Sequence, residues 1–466
     1  MKKPFLIKSV IACGFFAFSL LFFLAQQHPK IYNASLGKIS CNYERTNNGN
    51  GSIIQGQQPY QHITHNNLYN WDAVLYKSIR DNMYSPFCHG HQVMQAFYPL
   101  FPIIWKISMI DSSLIIIFNY FLLVLALILL SGYLNGNTKE DYFIYAIALL
   151  LPTTAMYYLP YAEALFLLTF AIAVIGLLKR NYWLFFIGAM AFSMTRPACL
   201  IYIIALLATD IRYLINHKNF IYFIKEITLK IIPFISGFLM VTFIQYLYTG
   251  SWTAYWESLT YWPTRQGFNY PIVDWSVEGF GMNVIAVCFV ALPALIYAIV
   301  WGIKAFNRSD TPPPSLFSGD KNWVKEYIFN SSIVFIAGNF IYTILTSGNV
   351  LNGFARYSMA IPFFYIVWFL LPEKLKAVST ISKMVGIGLS MAGLILFLYF
   401  VEYGGSRFQF AMSGLYLSLA VLLFFIAAPS LSFRSKLIVF LILVGPCIVW
   451  HTYLFNMYLC QAWVYT

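Results

Sequence analysis

Charge is scarce in this chain: Asp, Glu, Lys and Arg together make up 10% of its 466 residues, too little to coat a soluble globule of that size. Metal-binding thiol pairs are missing as well. The seven Cys are scattered, mostly inside apolar runs, and no Cys-x-x-Cys occurs, which excludes the usual structural zinc knuckle. No repeat recurs at a fixed period, and the two halves of the chain do not share the paired broken helices of an inverted-repeat transporter. Nor is there a polar domain that gathers positive charge beside stacking aromatics, so the net charge of +12 is not a nucleic-acid footprint.

What is present is apolar length. Hydrophobic residues make up 60% of the chain, Phe and Tyr number 43 and 34, and mean hydropathy is +0.67. The apolar runs extend for roughly 17 to 25 residues, which suits membrane-crossing helices and not barrel strands. The expected fold is therefore an all-α polytopic membrane protein. Spans are placed near 5–25, 113–134, 142–159, 161–178, 182–195, 198–209, 231–248, 280–303, 327–346, 357–371, 384–400, 411–428 and 437–455, a bundle of about twelve to thirteen helices. The count falls by one if 182–195 and 198–209, broken by Arg196-Pro197, are half-helices meeting at a surface.

Placing Lys2, Lys3 and Lys8 in the cytoplasm puts most basic residues in inner loops such as Arg212 to Lys230 and Lys321 to Lys325, as the positive-inside rule requires. The chain then divides into a first helix, 1–25, expected to be an uncleaved signal anchor; an outer loop, 26–112; a bundle, 113–248; an outer aromatic loop, 249–279; and a C-terminal bundle, 280–466. Cys41 and Cys88 both fall on the outer side, as a candidate disulfide.

The chemistry-bearing residues collect on that same side: the 26–112 loop, Glu163, Arg196, the aromatic loop and Arg356. Ionisable groups inside apolar stretches face a cavity or a protein interior, so one-sided clustering points to a site. In the first loop, Trp71, Leu75, Ser78 and Ile79 share one helical face, while Asp72, Tyr76 and Arg80 fall at four-residue steps on another. Asn70 is the expected N-cap, which sets Asp72 in the first turn, where the helix dipole favours an ionised carboxylate. The plain alternative is an acidic residue that merely trims a helix start. His62 with His65, and His89 with His91, have metal-ligand spacing but no acidic partners, and are read as wet loop residues. Ser251 to Pro271 carries three Trp and three Tyr, either an interfacial belt or a sugar-stacking surface. Within and beside it, Glu257, Trp262, Arg265 and Asp274 are candidates for acceptor contact.

Four strings occur in order: WDAVLYKSIRDNMY (Trp71 to Tyr84), AFYPLFP (Ala96 to Pro102), PYAEALF (Pro160 to Phe166) and MTRPACL (Met194 to Leu200), with a weaker GFARY (Gly353 to Tyr357) later. This order resembles the PIG-V family, the second mannosyltransferase of GPI-anchor assembly, and its bacterial relatives. The resemblance covers 71 to about 200 specifically.

That resemblance implies a GT-C-like helical bundle, with membrane-parallel helices in the first outer loop, that takes mannose from a polyprenyl-phosphate donor at the periplasmic or lumenal face. Asp72 stands where the family carries its acidic residue and would act as general base, with inversion at the sugar. Arg196, then Arg356, are the candidates to bind the donor phosphate, because planar guanidinium forks suit phosphate; their alternative is a salt bridge, for example Arg196 with Glu163. Trp71, Tyr76, Arg80 and Glu163 would support the site. No cofactor or metal is expected, and the partners are the lipid bilayer, the polyprenyl-phosphate sugar and a glycolipid or glycan acceptor. The plain loops suggest a bacterial inner membrane, or the endoplasmic reticulum if the chain is eukaryotic. Rival readings are a lipid-linked sugar flippase or exporter, and a polyprenyl-phosphate-sugar transferase that acts on another sugar or on protein.

Overall fold

The computed structural model describes residues 2–26, 68–85, 93–136, 138–217, 220–261, 286–306, 319–346, 353–376 and 432–459, with a few short pieces between them. Among these, α1 (Lys2–Gln26) leads to the first loop, which holds α2 (Asp72–Asn82), a 3₁₀ turn (Met94–Ala96) and α3 (Leu100–Ile107). Next come α4 (Ile115–Leu134), α5 (Lys139–Leu150), a 3₁₀ stretch (Pro152–Tyr157), α6 (Glu163–Leu178), α7 (Tyr182–Ser193), α8 (Ala198–His217), α9 (Phe220–Thr249) and the short α10 (Ala254–Leu259). A π-helical turn (Ala286–Ala291) opens α11 (Leu292–Phe306), followed by α12 (Lys321–Thr346), α13 (Phe354–Met359), α14 (Pro362–Lys376) and α15 (Phe433–Leu459). The described β structure is one hairpin of two-residue strands, Glu44–Arg45 against Ile53–Ile54.

The chain is an all-α, multi-pass membrane protein. Among the described residues six helices are long and apolar enough to cross a bilayer: Lys3–Gln26, Ser112–Leu134, Phe220–Thr249, Ala286–Lys304, Lys321–Thr346 and Phe433–Asn456. Three shorter apolar helices, Glu163–Leu178, Tyr182–Ser193 and Ala198–Ile211, accompany them. The expected spans 384–400 and 411–428 lie almost wholly outside the described residues.

Several expected boundaries shift, for identifiable reasons. The run 142–159 is not one helix, because Pro152 lacks the amide that would continue it and the backbone turns there into 3₁₀ geometry. Two helices reach further than their hydropathy suggests. α8 passes Thr209 and α9 begins well before Ile231 because Asp210 and Lys230, which look like loop charges, pair inside the bundle with Lys230 Nζ 2.7 Å from Asp210 Oδ2. Lys230 is thus not a cytoplasmic loop residue. α12 starts at Lys321 because the Asp320 carboxylate accepts the Trp323 amide at 2.7 Å, an N-cap that offsets a polar first turn.

Small residues set the closest approaches. A Cβ on Gly176 of α6 would run into the backbone of Phe185 on α7, one on Gly188 of α7 into Ala173, and one on Gly237 of α9 into the Met190 carbonyl. This is the small-residue contact that lets membrane helices pack where no hydrophobic drive exists between them. Phe166 stacks on Phe192, with ring centroids 4.3 Å apart, and locks the α6–α7 hairpin. That hairpin fixes the two elements that carry Glu163 and Arg196 at one end of the bundle.

Candidate functional site

Four charged side chains from four separate segments meet at that end. Glu163 opens α6, Arg196 occupies the turn between α7 and α8, Arg356 lies in α13 and Asp72 opens α2. Each position has a local cause. Helix α6 starts after Pro160, which favours a break before Glu163. The Arg196 turn exists because Pro197 cannot continue α7, and it is tied to the first loop by the Leu100 amide, which donates to the Met194 carbonyl at 3.2 Å. Helix α13 is entered through Gly353 at φ 71°, a left-handed conformation that glycine adopts without strain.

Glu163 is the hub. Its Oε1 accepts from Arg196 Nη1 at 2.6 Å and from Arg356 Nε at 2.6 Å. Arg356 then reaches outward, its Nη1 donating to Asp72 Oδ2 at 2.6 Å. The Arg356 Nη2 also lies 2.6 Å from Glu163 Oε1 but makes no hydrogen bond, and Glu163 Oε2 is likewise without one. Exposure separates the two carboxylates. The Glu163 side chain is 0% exposed and Asp72 23%, with Arg196 and Arg356 between them at 14% and 11%. Of the two acids, only Asp72 keeps an exposed face.

Aromatic rings wall the group. The Arg356 guanidinium lies 4.6 Å from the Tyr161 ring centroid, and Arg196 lies 6.0 Å from those of Phe166 and Tyr357, a stacking to which planar guanidinium groups are suited. Tyr76 is buried, edge-on to Phe97 and Phe101 with centroids 5.2 and 5.4 Å away. Burial pushes its hydroxyl well above the ordinary range, so it stays protonated.

The residue before Asp72 is strained. Trp71 stands at φ 57°, ψ −127°, a conformation that bulky side chains avoid and that persists only where surrounding contacts impose it. Those contacts come from the far end of the chain. Asn70 does not cap α2 with its side chain; instead its amide donates to the Tyr458 carbonyl at 2.7 Å, and its backbone N–H donates to the Tyr458 hydroxyl at 3.2 Å. The cap expected of Asn70 is thus replaced by a clamp on α15, with the helix start carrying no side-chain cap. The buried face of α2 is Ala73, Tyr76 and Ile79, shifted from the Trp71, Leu75, Ser78 and Ile79 stripe expected. The reason is that α2 packs against α3 and the site at once, not against a flat surface.

Not every expected residue joins the four. Arg80 turns the other way, stacked 4.4 Å from the Trp105 ring centroid and bonded to Asp81 and to Ser112 Oγ at 2.6 Å. Glu257 sits exposed on α10, where the Ser251 and Thr253 hydroxyls donate to its Oε1 at 2.8 and 2.5 Å and hold its carboxyl below the usual range. Helix α10 nevertheless leans on the first loop through Tyr255, 5.6 Å from Tyr98. Trp262, Arg265, Asp274, the four loop histidines, Cys41 and Cys88 lie outside the described residues. Among the described residues no group of three or more His, Cys, Asp or Glu is placed to hold a metal ion.

Sequence reading missed one cluster altogether. About 18 Å along α8 from its start, by the rise of a helix, Asp210 pairs with Lys230 and also accepts the Tyr327 hydroxyl at 3.0 Å. An apolar cleft lined by Phe170, Val174, Phe234 and Leu316 reaches Lys230 and Tyr327 and contains none of the four side chains at the Asp72 end. The lone Asp and Lys at facing ends of two apolar runs were the available signal. Comparison of the chain with protein-family models, with curated proteins and with solved structures finds no match.

Proposed function

We propose that this chain is an integral-membrane mannosyltransferase of GT-C type that moves mannose from polyprenyl-phosphate-mannose to a glycolipid or glycan hydroxyl, with Asp72 as general base. The observation that carries the reading is the ion network in which a partly exposed carboxylate, Asp72, stands beside two guanidinium groups that a sealed carboxylate, Glu163, holds in place. Glycosyl transfer from a phosphodiester needs both. A base must take the proton of the attacking hydroxyl, while the leaving phosphate gains a second negative charge that needs fixed cations nearby. Arg196 and Arg356 supply those cations, and Glu163 anchors both of them. The order of the four sequence motifs, and their resemblance to the PIG-V family, is consistent with this chemistry.

In the proposed reaction the acceptor oxygen attacks the anomeric carbon from the face opposite the phosphate. Asp72 takes the hydroxyl proton, the bond from carbon to phosphate oxygen breaks, and a β-linked donor yields an α-mannoside. The bacterial inner membrane, with the site on the periplasmic side, is the proposed location. A flippase or exporter is the second reading, favoured by one observation: the Lys230–Asp210 pair lies within the helices, away from the four-residue site, where a crossing path would carry polar groups.

The test is transfer of labelled mannose from polyprenyl-phosphate-mannose into the lipid or polymer fraction of a membrane extract, by purified protein in lipid. Transfer by the wild type, lost in folded Asp72→Asn, is the expected result. Equal label with both proteins removes Asp72 from the reaction. Movement of the intact donor between leaflets without transfer establishes the exporter instead.

A further inference from the structure

We infer that Asp72 and the donor phosphate compete for Arg356, so that the arrival of the substrate releases the base; the inference rests on the transferase reading above. At rest the four side chains carry two positive and two negative charges, and Arg356 is the one residue of the four that bonds both carboxylates. In that state one oxygen of the Asp72 carboxylate is occupied. Its Oδ2 is engaged by a guanidinium at 2.6 Å, so that oxygen is not open to the proton of an acceptor hydroxyl.

A phosphodiester that enters here meets a neutral cluster in which Asp72 would repel it. The cations it can address are Arg196, whose bond within the group is to Glu163, and Arg356, whose Nη1 is held by Asp72 and whose buried Nη2 lies 2.6 Å from Glu163 Oε1 without a hydrogen bond. The geometry supplies a pivot for the exchange. With Arg356 Nε kept on Glu163 Oε1, rotation of the guanidinium moves Nη1 off Asp72 and Nη2 away from Glu163, and presents the pair to two phosphate oxygens, a bidentate form suited to phosphate. Asp72 does not become an isolated charge, because it stands in the first turn of α2, where the helix dipole supports a carboxylate. It does lose its nearest cation. The base oxygen is thus open when the donor is seated and engaged when it is not. No bond is made or broken in this exchange beyond hydrogen bonds, and the charge count changes only by that of the incoming phosphate.

Glu163 is then a positioning residue, which acts through Arg356 and Arg196 and touches no substrate. Its full burial is what makes the pivot stay while the outer bond moves.

The experiment uses binding and not turnover: affinity of the full-length protein in lipid nanodiscs for undecaprenyl phosphate, the sugar-free product, across a double-mutant cycle. Asp72→Asn removes the competitor and is expected to tighten binding about tenfold, a coupling of the size seen within ion networks. In Arg356→Gln the same Asp72→Asn change is expected to tighten binding far less, because only the repulsion by Asp72 is then relieved and no cation is contested. Tightening by the same factor in both backgrounds overturns the exchange and reduces Asp72 to a general repeller of anions. No tightening in the wild-type background overturns it too. Absence of binding by all four proteins overturns the donor reading itself, and the exchange with it. Where Arg356→Gln does not fold, Arg356→Lys serves: its single ammonium holds Glu163 but not both carboxylates, so the effect of Asp72→Asn is expected to fall well below that in the wild type, and an undiminished effect overturns the proposal.

Discussion

Among the described residues two charge clusters lie buried in this bundle, and they differ in what they leave over. At the inner cluster one cation meets one anion: Lys230 and Asp210 are 5% and 4% exposed, and Tyr327 adds a hydroxyl to the same Asp210 oxygen. At the Asp72 end two cations and two anions are shared through Glu163, and exposure rises from 0% at the hub to 23% at Asp72. Both resolve the problem of charge away from water by pairing. Only the second is built as a gradient, in which a sealed carboxylate holds guanidinium groups that keep a wet side. A closed pair only satisfies its own charges; a graded one keeps a face toward water.

The sharpest way to break that comparison is to remove the exposed anion. Asp72→Asn is expected to lower mannose transfer by about 10²–10⁴-fold, the contribution of a positioned base, with the melting temperature in detergent near that of the wild type. Asp210→Asn is expected to do the reverse, leaving transfer per folded molecule intact. A similar loss of transfer with both variants would abolish the distinction between the clusters.

Next in size is the hub. Glu163→Ala leaves Arg196 without its carboxylate and Arg356 with Asp72 alone, and loss of about 3–5 kcal/mol is expected for breaking a buried pair in this way, read as a large drop in the thermal midpoint together with lost transfer. Replacing the inner pair as a unit, Lys230→Met with Asp210→Leu, is expected to be neutral or to stabilise by about 1–4 kcal/mol. An inner pair that proves as intolerant of apolar replacement as the hub would instead favour a role along a crossing path.

A smaller effect is expected at the α6–α7 contact. Gly188→Ala places a methyl against the Ala173 backbone and is expected to cost about 1–3 kcal/mol as overpacking, with partial loss of transfer because Glu163 and Arg196 ride on that hairpin. Smallest is Glu257→Gln on the exposed face of α10. Its expected signature is a several-fold rise in KM for the acceptor with kcat unchanged, and kinetics identical to the wild type would place Glu257 outside the acceptor site.

Much of the site was legible because its residues break a rule of their surroundings. Glu163, Arg196 and Arg356 are charges in apolar stretches, and each carries a local reason to stop a helix: Pro160, Pro197 and Gly353. Asp72 was legible from its place at a helix start beside Trp71. The roles of Asn70 and Arg80 were not. Both look like parts of α2, yet their partners are Tyr458 and Trp105, which no periodicity within 71–84 reveals. Lys230 and Asp210 were misread for the converse reason: hydropathy scores each charge alone, whereas a charge that finds its opposite inside the bundle is no longer a loop signal.

By itself the sequence determined that the chain is a helical membrane protein, because apolar runs of that length leave backbone groups no other partner than their own helix. It also determined that Glu163, Arg196 and Arg356 sit at helix ends, since each has a proline or glycine nearby. Which charges meet was decided only by tertiary structure. Asp72 and Arg356 are 284 positions apart, and what joins them is the packing of α2 and α13 around Glu163, a matter of helix order and close glycine contacts that no local pattern encodes.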